Sequence, residues 1–208
     1  MAKNNGTREM LVRAAVQLFA EQGIDAVSLA QINRAAGQRN ATAAHYHFGG
    51  KAGLVQAIFD KHRSRVDVLR ETMLADLPEQ ASLKQVLAVL VVPLAEQVRD
   101  ADGGIHYLRF LAQIMNRGEA DGGAVDQHDS PALQEQSRRF QIALRDVPVE
   151  LAGMRMGFVV TMIFNSLARY AQSVSQQGLD EDRHSVLIEQ LTAAAAGALA
   201  ITPVNMSH

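Results

Sequence analysis

The chain has 208 residues, with 48% hydrophobic and 20% charged side chains, a balance that fits one or two globular domains and excludes a disordered polyelectrolyte. It contains no cysteine, which excludes disulfides, zinc–cysteine sites and thiol catalysis. The formal net charge of −2 hides an asymmetry: residues 1–51 carry six Lys/Arg against three acids (+3), the remainder 14 against 19 (−5), a pattern that fits either a polyanion-binding module on a separate scaffold or chance scatter of surface charge.

Met1 to Gly6 is polar and lacks an apolar signal core. The first helix is expected over Thr7 to Gln22, capped by Thr7 and stopped by Gly23, with Leu11, Ala15, Leu18 and Phe19 on one face. Arg8, near its start, is either a phosphate contact or a solvated arginine. Ser28 and Gln31 then form a capping box. Leu29, Ile32 and Ala36 share a helical face, and Gly37 is suited to the positive φ that ends a helix. A second short helix is expected over about Asn40 to His47. Arg39, Asn40, Thr42, His45 and Tyr46 are side chains there able to bond phosphates and base edges. Two short helices joined this tightly are a helix-turn-helix, whose second helix enters the DNA major groove. Arginine pairs with guanine and asparagine with adenine, so Arg39 and Asn40 are the base-reading candidates; Asn40 suits a turn or cap equally well. His45 and His47 point about 200° apart on a helix, which argues against a shared metal and for one contacting DNA while the other packs.

Gln31-Ile32, Ala35-Ala36-Gly37, Tyr46-His47-Phe48, Lys51 and Leu54 together resemble the DNA-binding domain of the tetracycline-repressor (TetR) family of bacterial regulators, over roughly residues 8 to 60. Ten residues, Gln38 to His47, separate Gly37 from Phe48, one more than most members have, which bears on the register of the recognition helix. The resemblance implies that Tyr46 and Lys51 grip the DNA backbone. Lys51 also falls in the first turn of the next helix, where free amides favour anions. The candidate DNA contacts are therefore Ser28, Arg39, Asn40, Thr42, His45, Tyr46 and Lys51.

Phe48 is expected to plug a small core with Leu18, Ile32 and Leu54. A long helix, about Lys51 to Leu74, follows with a buried stripe of Leu54, Ile58, His62, Val66, Leu69 and Met73, and links the head to the body. Ser82 and Gln85 open another helix that reaches Arg99 and is kinked or broken at Pro93. A helix over Ile105 to Asn116 and a mobile acidic loop over Gly118 to Asp129 come next. Ser130-Pro131 opens a helix that ends near Asp146. Pro148 opens one that runs to Gln177, and the last spans about Asp180 to Ile201. The apolar run Met156 to Ala168 is shorter than the ~20 residues of a membrane span and lies between Arg155 and Arg169. A soluble cytoplasmic protein without membrane contact is expected. The run is apolar nearly all round and must be covered on both sides, which predicts a homodimer through the last two helices.

The expected fold is all-α: a three-helix head over residues 1–51 and a helical ligand-binding and dimerisation domain over 52–208. Phe110, Met115, Met154, Phe158 and Met162 suit an apolar cavity, with His106, Tyr107 and Asn165 as its polar contacts; they suit an ordinary filled core equally, and the resemblance favours an effector site. No cofactor, metal or catalytic constellation is indicated, and His106, His128 and His184 are scattered. The resulting expectation is a homodimeric repressor of double-stranded DNA, reading a palindromic operator and released by a small apolar effector, with the long fourth helix as the coupling element. The alternative is a helical small-molecule-binding protein or enzyme whose head no longer binds DNA, a reading left open by the small Ala43 and Ala44.

Overall fold

A computed structural model describes residues 2–40, 42–117 and 130–200. These form nine α-helices, with no strand among the described residues: α1 (Ala2–Gln22), α2 (Leu29–Ala35), α3 (Ala43–Phe48), α4 (Lys51–Ala75), α5 (Leu83–Ala95), α6 (Gly104–Asn116), α7 (Pro131–Ala143), α8 (Val149–Gln177) and α9 (Glu181–Ala200). A 3-10 turn, Glu96–Arg99, follows α5. The acidic loop expected over 118–129, with His128, and the end of the last helix at Ile201 lie outside the described residues.

Local signals set most boundaries. Both capping boxes form: the Gln31 amide donates to Ser28 Oγ at 3.2 Å while Gln31 Oε1 accepts from the Ser28 amide at 2.7 Å, and Ser82 and Gln85 repeat the pattern. Such a box satisfies two of the four amides that a helix start leaves unpaired. Ser130 caps α7 ahead of Pro131. Pro93 sits within α5, which tightens into the 3-10 turn at Glu96, because proline removes a backbone donor from the helical ladder.

Three expectations are corrected. Thr7 does not cap α1, which begins at Ala2; no breaker interrupts the first turn, and Gly6 stands in open space. The recognition helix starts at Ala43 rather than Asn40, because Asn40 Oδ1 accepts both the Thr42 amide (3.0 Å) and the Thr42 hydroxyl (2.8 Å), a side-chain turn that competes with helix. On α4 the stripe continues from Val66 to Arg70 and Leu74 instead of Leu69 and Met73, following a strict four-residue step; Arg70 tolerates burial because it pairs with Asp67.

One apolar core runs through the molecule. It takes Leu11, Phe19, Ile32 and Leu54 from the first four helices and Leu87, Leu108, Ile163 and Leu199 from the rest. Each such side chain, fully buried, contributes ~1.5–3 kcal/mol. Helix α6 packs on α1 on one side and α8 on the other, α9 lies across α5 and α8, and α7 across α4 and α5. Helix α8 has 29 residues, as expected from Pro148 to Gln177, and is long and apolar enough by length and composition to cross a membrane. Its Val159, Ile163, Leu167 and Ala171 are buried, while Met154 and Phe158 face solvent.

Candidate nucleic-acid interface and effector cavity

The head presents α3 across α2. Asn33, buried on α2, accepts the Ala44 amide through Oδ1 at 2.9 Å, which locks the two short helices together. Gly37 takes φ 65° in the turn between them. Ala43 and Ala44 face inward and are buried, so their small size serves the packing of α3 and leaves its outer face to others. Tyr46 is 77% exposed, and His45 is exposed beside it. His47 is half-buried, with its ring edge-on to Tyr46 and tilted against Phe48. Arg39, Asn40 and Thr42 are exposed in the turn that precedes α3. Ser28 is exposed at the start of α2, its hydroxyl engaged in the cap. The Arg8 guanidinium lies over the Phe48 ring, 5.2 Å from its centroid, a stacked position that neither sequence reading gave it.

Lys51 is tied down. Its Nζ donates to the carbonyls of Ile24 (2.8 Å) and Asp25 (3.2 Å), which bridges the start of α4 to the loop after α1. An ammonium has three donors, and these two bonds use two of them. Sequence reasoning missed Gly53 as well: a Cβ there would stand 1.9 Å from the Phe48 carbonyl oxygen, so the close crossing of α3 and α4 needs glycine.

The body holds a cavity of about 380 Å³, inside the ~300–1,000 Å³ usual for small-molecule sites. Phe59, Val66, Leu90, Leu94, Leu111, Met156, Val160 and Phe164 give it apolar walls; Arg63, Arg70, Tyr107, Gln136 and Ser137 are its polar lining. Of the eight residues proposed for a pocket from sequence, Tyr107 and Met115 line it. Phe110 is fully buried among Phe19, Phe59 and Tyr107. Asn165 exchanges side-chain hydrogen bonds with Asn116. His106 is half-buried, and burial lowers its pKa; Met162 packs against the core. Met154 and Phe158 are exposed. The error is one of helix face: α8 is apolar on several sides, and the stripe Met156, Val160, Phe164 turns to the cavity while Met154 and Phe158 turn outward.

Tyr107 stacks on His62 at 4.3 Å between ring centroids. His62 is completely buried, without a hydrogen bond to either ring nitrogen; Nδ1 stands 3.5 Å from Asp100 Oδ2. Burial lowers its pKa from 6.5 to about 4 by disfavouring the charged ring. Burial likewise raises the Tyr107 hydroxyl. His184, also buried, joins Tyr170 (2.8 Å) and Glu96 (3.0 Å) and so ties α9 to α8 and to the turn after α5.

Residues 11–58 match the family model of the bacterial regulatory proteins of the tetR family. The head is similar to the DNA-binding domain of that family. The whole chain is similar in fold to a TetR-family transcription regulator from Marinobacter aquaeolei VT8, at 17% identity and a TM-score of 0.51, over 95% of this chain and 97% of that one. Looser matches are a TetR-family regulator from Rhodococcus sp. (13% identity, TM-score 0.46, 94% and 100% covered) and a gamma-butyrolactone receptor (20% identity, TM-score 0.48, 94% and 98% covered). A comparison with the curated proteins gives no match.

The head is connected to the cavity by two helices. Helix α4 lines the cavity through Phe59, Arg63, Val66 and Arg70 and begins at Lys51. Helix α6 lines it through Tyr107, Leu111 and Met115, and its far side holds α1: Gln113 Nε2 donates to the Ala20 carbonyl at 3.1 Å, and Arg117 pairs with Asp25 at 2.7 Å. Asp25 thus meets the cavity-lining helix through its carboxylate and the Lys51 ammonium through its carbonyl. Asp102 adds a second tie, pairing with Arg13 of α1 and Lys61 of α4.

Proposed function

We propose that this TetR-family chain is a cytoplasmic repressor that binds a palindromic operator as a homodimer and releases it when a small molecule fills the body cavity. The observation that carries the DNA reading is the exposed row Arg39, Asn40, Thr42, His45 and Tyr46 on a head with a positive balance. These side chains suit phosphates and base edges, with Lys51 offering its remaining donor and Ser28 sitting at the rim.

The dimer reading rests on the outward face of α8 and α9, where Met154, Phe158 and Val186 are exposed beside Gly157 and Ala193. Small residues let helices approach closely, and an apolar strip of this kind suits a four-helix seam. The same seam accounts for the apolar length of α8 without a bilayer. Two heads held this way read half-sites ~34–36 Å apart. The division is at about residue 51, with 1–51 as head and 52–208 as body.

Release requires the effector to bind the two head separations with different affinity. The contacts of α6 with Ala20 and Asp25 support a route alongside α4. The chain acts by binding rather than by catalysis.

The test is selection of duplexes from a randomised library by the purified chain. Enrichment of a palindrome with two equal halves is the expected result. Failure to retain any duplex at low salt would favour the rival reading, a helical binding protein with an idle head.

A further inference from the structure

Two polar side chains in the cavity wall carry buried atoms without a hydrogen-bond partner. Arg70 and Gln136 are each 3% exposed. Arg70 Nη1 pairs with Asp67, but its Nε–H has no acceptor; Gln136 has no partner at either Oε1 or Nε2. Asp67 is already satisfied, since its other oxygen accepts the Ser130 hydroxyl at 2.7 Å. Buried polar groups in folded proteins are nearly always paired, and a buried guanidinium more so. These exceptions line one cavity, on α4 and α7, which pack together. Ser137 and Tyr107 add hydroxyls to its lining. Helices α5 and α8 contribute only apolar side chains: Leu90, Leu94, Met156, Val160 and Phe164. The wall is therefore amphipathic, with N–H donors on one pair of helices and hydrocarbon on another.

We propose that the cavity takes an apolar molecule ending in a carboxylate, whose oxygens accept from Arg70 Nε and Gln136 Nε2 while its hydrocarbon body lies against α5 and α8. This rests on the effector reading above and narrows its ligand from apolar to amphipathic and anionic. A neutral alcohol offers fewer acceptor sites and no charge to the guanidinium, and an amine places like charge beside it.

The experiment is calorimetric titration of the full chain with decanoate, decanol and decylamine, each followed by measurement of duplex release. Decanoate is expected to bind about tenfold or more tighter than decanol, the ratio that one charge-assisted hydrogen bond supplies, and decylamine not at all. Arg70→Gln strips Asp67 of its cation and tests folding as much as binding, so Gln136→Met carries the test. It keeps the volume and removes both unpartnered atoms. The variant should melt higher than the parent without ligand, retain duplex binding, and lose most of the preference for decanoate. Equal binding of decanol and decanoate, with either releasing duplex, overturns the carboxylate and leaves the regulator reading intact. Tighter binding of decylamine also overturns it. If none of the three binds while duplex binding is intact, the cavity as an effector site falls together with the ligand class.

Discussion

Asn33 Oδ1 accepts the amide of Ala44 at 2.9 Å, joining the two helices of the DNA-binding head by one buried hydrogen bond. Loss of the acceptor leaves a buried N–H unpaired, at ~1–3 kcal/mol. Asn33→Ala is expected to lower the melting temperature and weaken operator binding together, while Asn33→Asp, which keeps an acceptor oxygen, loses less of both. Thermal unfolding and duplex anisotropy on the same preparations check this.

Lys51 Nζ bonds the carbonyls of Ile24 and Asp25, and the proposed function adds a DNA phosphate to its third donor. Lys51→Ala should weaken binding to all duplexes alike and reduce the slope of log affinity against log salt by ~1. A lower melting temperature with an unchanged slope would make Lys51 a latch and remove it from the phosphate contacts.

Phe158 is 65% exposed on the outward face of α8. A charge there opposes burial in a seam. Phe158→Glu is expected to yield monomers by light scattering and to lose most operator affinity, with helical content unchanged.

His62 gives the fold a pH dependence with a definite sign. Its pKa falls from 6.5 when free to about 4 when folded, so the unfolded chain binds the proton more readily. Its contribution is neutral above about 6.5, and stability falls as pH drops through 6.5 towards 4, by at most ~3 kcal/mol at ~1.4 kcal/mol per pKa unit. His62→Phe, which keeps the stack on Tyr107, should flatten the melting temperature over that window.

Helix existence was legible from sequence because caps and breakers are local: Ser28 with Gln31, Ser82 with Gln85, and Ser130-Pro131 each mark a start that the structure bears out. The start of α3 was not, since Asn40 offers the same oxygen to a helix cap and to a turn, and only the placement of Thr42 decides. Asn33 and Gly53 were invisible for another reason. Their partners, the Ala44 amide and the Phe48 carbonyl, are backbone atoms of another helix, which no side-chain pattern encodes. The cavity was misread because an all-round apolar helix such as α8 carries no periodicity that says which face turns inward; Met156 and Phe158 differ by a rotation that composition cannot express.

The uninterrupted core from Leu11 to Leu199 has a consequence for anyone wishing to rewire such proteins. A cut at residue 51 severs α1 from its bed on α6, so the excised fragment loses that packing and heating the intact chain should give one calorimetric peak. If the body acts as the proposed sensor, a chimaera that grafts it onto another reader must carry the α1–α6 contact surface with it, Gln113 and Arg117 included, for ligand binding to reach the DNA.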